Sequence, residues 1–218
     1  MRRSLSASQV LSVRNRTIEV PREWEGCLGK EIARNGVVFF WGNSGNGKSS
    51  AVMSFAKMLT GFGTVLYVSR EEGFGLSFQH TLERFSMTEC GVRFQVADDG
   101  SIEQLTERLD KHRSPEFVVI DSVQMMGMSF KDYRALKDRF PRKLFILVSQ
   151  ANGKQPDGRP ATKMMYDADL KIWVEGYTAH SKGRFIGPTG AFRVWDDGAE
   201  RYWTGKAKEE DENNAQKD

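Results

Sequence analysis

The sequence predicts an α/β domain with a mostly parallel, twisted sheet, flanking helices and a C-terminal antiparallel extension. Three observations support this fold class. Apolar strand-like segments alternate with helical ones early in the chain, shorter alternating strands follow, and a glycine-rich motif joins the first apolar strand to a helix. Nearly continuous apolar runs are typical of strands buried on both faces of a parallel sheet.

Six segments have strand character, and the first four are almost entirely apolar. They are residues 37–41, 64–69, 117–121, 144–149, 170–174 and 191–195. In the fifth segment Leu170, Ile172 and Val174 share one face, whereas Lys171 and Trp173 lie on the other. This alternation predicts a half-exposed or antiparallel strand at the edge of the sheet.

Helical periodicity appears in two places between these strands. The apolar stripe of the first helix is Ala51, Val52, Phe55, Ala56 and Leu59. Ile102, Leu105 and Leu109 predict a second helix near residues 101–113, with Asp99 or Ser101 as its N-cap. Residues 151–163 are rich in Gly, Pro and Asn and predict a long loop.

Length and composition favour one domain with a substantial core. The chain has 218 residues, of which 39% are hydrophobic and 28% charged. No apolar run approaches the ~20 residues of a membrane span, and no secretory signal is visible. Two cysteines and three scattered histidines argue against a disulfide framework or a zinc site. We therefore expect a cytoplasmic protein without a membrane partner.

The charge distribution divides the chain into a basic body and an acidic end. The net charge is 32 − 29 = +3, and the residues after Trp203 contribute 3 − 5 = −2, which leaves +5 for the body. Such a body permits nucleic-acid binding without requiring it. We expect a lead-in segment at residues 1–35, a core at residues 36–204, and a disordered acidic tail at residues 205–218.

A phosphate-binding loop follows the first buried strand. Residues 42–49 match G-x-x-x-x-G-K-[ST], in which backbone N–H groups wrap a phosphate. Lys48 is expected to bind the β- and γ-phosphates of ATP, and the Ser49 hydroxyl to bind Mg²⁺. The predicted nucleotide-binding residues are Gly42, Asn43, Ser44, Gly45, Asn46, Gly47, Lys48, Ser49 and Ser50.

Polar residues at the ends of three other strands complete the predicted site. Asp121 is expected to reach Mg²⁺ through water, and Glu71 to orient or deprotonate the attacking water. Gln150 could sense the γ-phosphate and signal to the loop that follows it. The alternatives are an ordinary helix cap for Asp121 and a solvated charged loop for Glu71. Carboxyl ends of neighbouring parallel strands are where this architecture places its ligands.

This set of motifs resembles the RecA/RadA/DnaB branch of P-loop ATPases. The matching segments are GNSGNGKSS, LYVSREEG, FVVIDSVQ, LVSQ and SKGRFIGPTG. The resemblance implies a RecA-like fold, with Glu71 as catalytic base, Asp121 as the magnesium-associated carboxylate and Gln150 as a switch. It also implies self-association into a ring or filament, because ATP sites in this branch are shared between subunits.

The segment Ser181-Lys182-Gly183-Arg184 is the candidate for a group that acts on a neighbouring subunit. Residues two apart in a strand point to the same side, so Lys182 and Arg184 project together. In the resembled family such a pair reaches the γ-phosphate of the next subunit. Ile186 is a one-residue insertion relative to that pattern. The alternative is a basic exposed hairpin.

Two segments are candidates for contact with single-stranded DNA, namely residues 123–131 and 151–165. Their basic residues suit phosphates and are Lys131, Lys154, Arg159 and Lys163. The apolar residues of the first segment suit bases, core packing or a subunit interface, and are Met125, Met126, Met128 and Phe130. Phe74 or Phe78 could stack on the adenine.

We expect an ATPase that acts on single-stranded DNA in recombination, annealing or replication. The chain resembles the core-only RecA-like proteins of phages and mobile elements, with single-strand-binding, replication or recombination proteins as partners. The alternatives are an ATP-switched assembly module that binds a protein, and a motor core of the replicative-helicase type. A small-molecule kinase is disfavoured, because no arginine-rich lid-like segment follows the core.

Overall fold

A computed structural model describes residues 4–70, 73–181 and 190–215. The strands are β1 (Thr17–Glu19), β2 (Glu31–Ala33), β3 (Gly36–Gly42), β4 (Val65–Ser69), β5 (Phe94–Ala97), β6 (Phe117–Asp121), β7 (Leu144–Asn152), β8 (Gln155–Pro156), β9 (Leu170–Glu175), β10 (Thr178–Ser181) and β11 (Ala191–Arg193). The helices are α1 (Ala7–Leu11), α2 (Arg22–Leu28), α3 (Lys48–Thr60), α4 (Leu76–Arg84), α5 (Ile102–Asp110), α6 (Phe130–Arg139), α7 (Arg159–Asp167) and α8 (Asp196–Ala215), and a 3₁₀ segment covers Met87–Arg93.

A nine-stranded sheet in the order β11-β10-β9-β3-β7-β6-β4-β5 organises the fold, with β8 paired to β7. The six strands from β9 to β5 run parallel, and β10, β11 and β8 are antiparallel additions. Strands β1 and β2 form a separate antiparallel pair. The predicted fold class is confirmed.

Helices cover both faces of the sheet, which explains the continuous apolar strands. In β3, Val38 and Phe40 face the cluster that contains α2 and α3, whereas Phe39 and Trp41 face the cluster that contains α5, α6 and α7. All four side chains are at most 3% exposed. Burying a large apolar side chain contributes about 1.5–3 kcal/mol, so this two-sided core is the main source of stability.

Strand β9 is not the edge strand that its alternating sequence predicts. It lies beside β3 and runs parallel to it, with Val38 opposite Leu170 and Trp41 opposite Trp173. Trp173 is 5% exposed and packs against Trp41, with ring centroids 5.6 Å apart. The prediction failed because Trp173 is itself a core residue. The antiparallel extension consists of β10 and β11, which lie beyond β9.

The prediction of a long loop at residues 151–163 is wrong. Strand β7 continues to Asn152, turns at Gly153 with φ of 62°, and pairs with β8. Helix α7 then begins at Arg159, after Gly158. Proline is tolerated in the first helical turn, where the N–H has no helical acceptor, and Pro160 occupies that turn. The Gly and Pro residues therefore mark the boundaries of two short elements, β8 and α7.

The tail predicted to be disordered from residue 205 onward is helical as far as Ala215. Residues Lys, Glu and Ala favour helices. Helix α8 is also anchored on the β9–β10 hairpin by side chains on either side of the start of the tail. Glu175 accepts hydrogen bonds from Tyr202 Oη at 3.2 Å and Lys206 Nζ at 2.7 Å. Trp203 Nε1 donates to Thr178 Oγ1 at 3.3 Å.

The predicted second helix is present and shorter, as α5. Ser101 caps it by accepting a hydrogen bond from Gln104 N at 3.3 Å, and Asp99 instead pairs with Arg108. Within the described residues, none of the helices combines the length and apolar character that crossing a membrane requires.

A polar cluster centred on Asp167 joins α6 to α7. Its carboxylate accepts hydrogen bonds from Tyr133 Oη at 2.6 Å and Lys137 Nζ at 2.7 Å, and Arg134 lies 3.5 Å away. Burial alone would raise the pKa of Asp167, but the bonds from Lys137 and Tyr133 outweigh it and lower the pKa below its ordinary value. The charged form therefore stabilises this helix pair.

We expect Asp167→Asn to lower the free energy of unfolding by about 1–2 kcal/mol at pH 7, because it removes charge-assisted hydrogen bonds. Since the folded pKa of Asp167 is lowered, its contribution is present above the unfolded value of about 3.9 and is lost as pH falls through the folded pKa. Urea unfolding of wild type and variant at pH 7 and near pH 3.5 measures this.

The matched control is Asp138→Asn, an exposed carboxylate on α6, the helix to which Asp167 is bonded. This change should leave the unfolding midpoint nearly unaltered. Equal stability of wild type and Asp167→Asn at pH 7 would contradict a stabilising role for the cluster.

Candidate nucleotide-binding site

The register of the sheet brings the predicted site residues to one edge. Gly42 at the end of β3 lies opposite Gln150 on β7. Asp121 at the end of β6 lies opposite Val148 on β7 and Ser69 on β4. All four strands are parallel, so their carboxyl ends meet at this edge. The phosphate loop, Asp121, Gln150 and the end of β4 are therefore neighbours.

The phosphate loop joins β3 to α3 and has the backbone shape that wraps an anion. Gly45 and Gly47 have φ of 76° and 86°, which side-chain-bearing residues rarely adopt. Gly47 is the N-cap of α3, and its carbonyl accepts from Ala51 N at 2.9 Å. Lys48 and Ser49 form the first turn, where free N–H groups and the helix dipole favour a phosphate.

The loop is braced from one side by the turn between β9 and β10. Asn46 Oδ1 accepts a hydrogen bond from Gly176 N at 2.8 Å, and its backbone carbonyl accepts from Tyr177 N at 3.0 Å. Asn46 Nδ2 also donates to the Ser44 carbonyl at 3.2 Å. The sequence predicts only phosphate binding for Asn46, because its bracing partner Gly176 is 130 residues away along the chain.

Two further contacts place the loop among its neighbours. Asn43 Nδ2 donates to the Gly153 carbonyl at 3.2 Å, at the tip of the β7–β8 hairpin. Ser50 Oγ lies 3.2 Å from Arg84 on α4, so this hydroxyl is engaged away from the loop. Lys48 and Ser49 are half-buried.

Asp121 is bonded to Tyr67 on β4 and to Arg70, the residue directly after that strand. Tyr67 Oη donates to its carboxylate at 2.5 Å, and Arg70 N donates to its backbone carbonyl at 2.9 Å. The peptide bond from Asp121 to Ser122 is cis. A serine hydroxyl at the start of α3 and a carboxylate at the end of β6 are hard oxygen donors, so these residues fit Mg²⁺.

Gln150 belongs to a hydrogen-bond network that the sequence analysis did not foresee. Gln124 Nε2 donates to Ser149 Oγ and to the Asp157 carbonyl, both at 2.8 Å. Gln124 Oε1 accepts from Gln150 N at 3.3 Å. This one side chain connects the loop after β6 to the end of β7 and to the base of the hairpin. Its only sequence signal was its place in FVVIDSVQ.

Three of the predicted catalytic groups, namely Glu71, Lys182 and Arg184, lie outside the described residues, as does Ile186. Their described neighbours are Arg70, directly after β4, and Ser181, the last residue of β10. Arg70 is paired with Asp98 at 3.1 Å. The roles of the three groups stay predictions.

The basic residues predicted for DNA are all exposed. Lys154 lies at the tip of the β7–β8 hairpin, where its carbonyl accepts from Trp41 Nε1 at 3.1 Å. Arg159 opens α7, and Lys131 is on α6. Lys163 lies with its Nζ 6.0 Å from the Phe130 ring centroid. The two candidate segments are thus adjacent elements of one surface.

The apolar candidates divide into core and surface. Met126 and Met128 are 7% and 4% exposed and belong to the core, which settles their role as packing residues. Met125 is half-exposed and so remains accessible for contact with a base or a neighbouring subunit. Phe78 is buried with its ring 5.4 Å from that of Tyr67, so it does not stack on adenine, whereas Phe74 is exposed.

Comparison with curated proteins gives one distant relative. The sequence is 27% identical over 121 residues to the DNA repair protein RadA of Streptococcus pneumoniae (strain ATCC BAA-255 / R6). The match covers 55% of this chain and 28% of RadA, so the chain spans little more than a quarter of that relative. No protein-family model matches the sequence.

Three solved structures share the fold. The flagellar accessory protein FlaH from Methanocaldococcus jannaschii has a TM-score of 0.58 at 15% identity, over 78% of this chain and 88% of that one. A KaiC-like protein from Pyrococcus horikoshii OT3 has 0.59 at 15%, over 82% and 98%. The third structure is an ATPase domain, with a TM-score of 0.51 at 17% identity, over 72% and 80%.

At such low identity these structures show a shared fold. The positions of the site residues described above are a separate observation. The phosphate loop between β3 and α3 and the polar ends of the adjacent parallel strands thus lie on a fold that this chain shares with these proteins, and together they support a RecA-like P-loop fold.

Proposed function

We propose that this chain binds ATP with Mg²⁺ and hydrolyses it. The observation that carries the proposal is the phosphate loop, which already has an anion-wrapping backbone and is braced through Asn46 and Gly176. A preformed loop reduces the ordering cost of binding. The resemblance to RecA-like proteins described above supports the same activity.

The proposed mechanism assigns each step to a residue of the chain. Lys48 and the N–H groups at the start of α3 hold the phosphates, while Ser49 and Asp121 hold Mg²⁺, the latter through water. The metal held by these residues would supply positive charge beside the phosphates. Glu71 orients the attacking water and accepts its proton. Positioning and electrostatic stabilisation account for most catalysis in phosphoryl transfer.

Two substitutions should separate ATP binding from ATP turnover. Lys48→Ala is expected to weaken ATP binding about ten- to hundredfold, because it removes a charged contact to phosphate. Glu71→Gln should bind ATP normally and lower kcat by about 10²–10⁴, because an amide cannot accept the proton. Equilibrium binding of a fluorescent ATP analogue and phosphate release measure the two effects.

The control is Lys111→Ala, which removes an exposed lysine just after α5. It should leave both measurements unchanged. Normal turnover in Glu71→Gln would remove that residue from catalysis, and normal binding in Lys48→Ala would contradict the assignment of the loop.

We further propose that the ATPase binds and acts on single-stranded DNA, in recombination, annealing or replication. Support comes from the exposed basic residues on the β7–β8 hairpin, α6 and α7, and from the contact of the hairpin tip at Gly153 with Asn43 of the phosphate loop. The partial match to a DNA repair protein favours the same class of partner. Single-strand-binding, replication or recombination proteins would then be further partners.

Single-stranded DNA should stimulate the ATPase, and the apparent affinity should fall steeply with salt. Each phosphate contact contributes about 0.7 to the slope of log K against log salt for a single strand. The double substitution Lys154→Ala/Arg159→Ala should reduce that slope by about 1.4, whereas Lys111→Ala should not. ATPase titrations with an oligonucleotide over a salt series measure both quantities.

A second candidate function is an ATP-switched assembly module that recognises a protein partner. The hydrogen bond from Asn43 to Gly153 favours it, because it ties an exposed hairpin to the phosphate loop without any nucleic acid. Absence of stimulation by single-stranded DNA at low salt would support this candidate over the first. A motor core of the replicative-helicase type would instead show directed unwinding of a forked duplex.

We also propose that ATP sites are shared between subunits of a ring or filament, with Lys182 and Arg184 acting on the neighbour. Mixtures of Arg184→Ala and Lys48→Ala subunits should recover ATPase activity that neither variant has alone, since some interfaces then combine an intact loop with an intact finger. An arginine finger contributes about 10³–10⁵ in rate. Activity of mixtures that equals the mean of the two folded variants would contradict shared sites.

A further inference from the structure

Tyr67 places a hydroxyl group at the magnesium side of the candidate site. The residue is in the middle of β4, is 1% exposed, and packs its ring against Phe78 and Phe94 at centroid distances of 5.4 and 6.0 Å. Its hydroxyl donates to Asp121 Oδ2 at 2.5 Å. The ring is therefore a core residue, and its polar tip reaches the end of the next strand.

The packing of the ring does not require the hydroxyl. A buried hydroxyl must find a partner or incur a desolvation cost, and phenylalanine would fill the same volume without that demand. A hydrogen bond to a carboxylate is short, strong and directional. Because the ring packs against Phe78 and Phe94, its hydroxyl has a defined position, and the bond restricts the orientation of the Asp121 carboxylate.

We propose that Tyr67 is a positioning residue that orients the Asp121 carboxylate towards the water shell of Mg²⁺. The inference rests on the proposed function, in which Asp121 serves the metal. Groups that hydrogen-bond to a metal-associated carboxylate set its orientation, and their loss typically lowers metal affinity. Tyr67 would thus affect Mg²⁺ dependence without touching the nucleotide.

The chain contains an internal control for this geometry. Tyr133 is 2% exposed and donates to Asp167 Oδ2 at 2.6 Å, which is the same pair of groups at nearly the same distance. That pair joins two helices and lies outside the candidate site. Loss of a buried tyrosine hydroxyl should lower stability in both Tyr67→Phe and Tyr133→Phe, whereas a change in Mg²⁺ dependence is expected in Tyr67→Phe alone.

The test compares Mg²⁺ titrations of nucleotide binding. A fluorescent, slowly hydrolysed ATP analogue is bound to full-length wild type, Tyr67→Phe and Tyr133→Phe, at increasing Mg²⁺ and in EDTA. Tyr67→Phe should raise the Mg²⁺ concentration at half-maximal enhancement about tenfold and leave the affinity in EDTA unchanged. Tyr133→Phe should lower the thermal midpoint and leave the Mg²⁺ titration unchanged.

A double-mutant cycle with Asp121 gives a second test of the inference. Asp121→Asn should raise the Mg²⁺ midpoint by itself, and adding Tyr67→Phe to it should raise the midpoint no further, because the two groups act as a unit. Equal Mg²⁺ midpoints in wild type and Tyr67→Phe would overturn the inference. A loss of nucleotide affinity in Tyr67→Phe that is as large in EDTA as in Mg²⁺ would also overturn it. If wild type shows no Mg²⁺ enhancement, the metal assignment of the proposed function fails first.

Discussion

The hydrogen bonds between Asn46 and the turn at Gly176 and Tyr177 constrain the whole nucleotide site. They hold the loop against the turn, and β3 lies equally close to β9, so that two positions before and within the loop have no room for a side chain. A Cβ on Gly42 would lie 2.3 Å from the Val174 carbonyl oxygen, and one on Gly47 would lie 2.9 Å from Tyr177 Cδ1. Glycine at these positions permits the approach, beyond any freedom needed for phosphate.

This constraint ties distant parts of the chain to the phosphate loop. The same turn begins β10, which ends at Ser181 just before the candidate finger segment. Glu175, immediately before the turn, anchors α8 through Tyr202 and Lys206. Loop, hairpin and C-terminal helix are therefore a contiguous hydrogen-bonded unit, and a contact made by α8 has a physical path to the nucleotide site. Energetic coupling between α8 and the nucleotide site would be measured by the effect of α8 substitutions on ATP affinity.

The sequence predicted the features that local chemistry determines and missed those that depend on distant partners. Strands β3, β4, β6 and β7 and the phosphate loop were predictable, because double-sided burial and phosphate binding each leave a local pattern. The position of β9 was not, since Trp173 becomes a core residue only when Trp41 packs against it. The β7–β8 hairpin and α7 were not predicted, because the Gly and Pro residues that separate these short elements resemble those of a loop. The partner of the Tyr67 hydroxyl is 54 residues away, so no periodicity reports it.

Gln124 determines how the end of β7 can move. Its amide group makes three hydrogen bonds at once, to the Ser149 hydroxyl, the Asp157 carbonyl and the Gln150 N–H. Gln150 in turn accepts from Asp157 N at 2.9 Å through its own carbonyl. A shift of the Gln150 backbone must therefore move the base of the hairpin with it or leave part-buried polar groups without partners, which is costly. Because the second outcome is unfavourable, the exposed hairpin that carries Lys154 is mechanically joined to the strand end beside the phosphate loop.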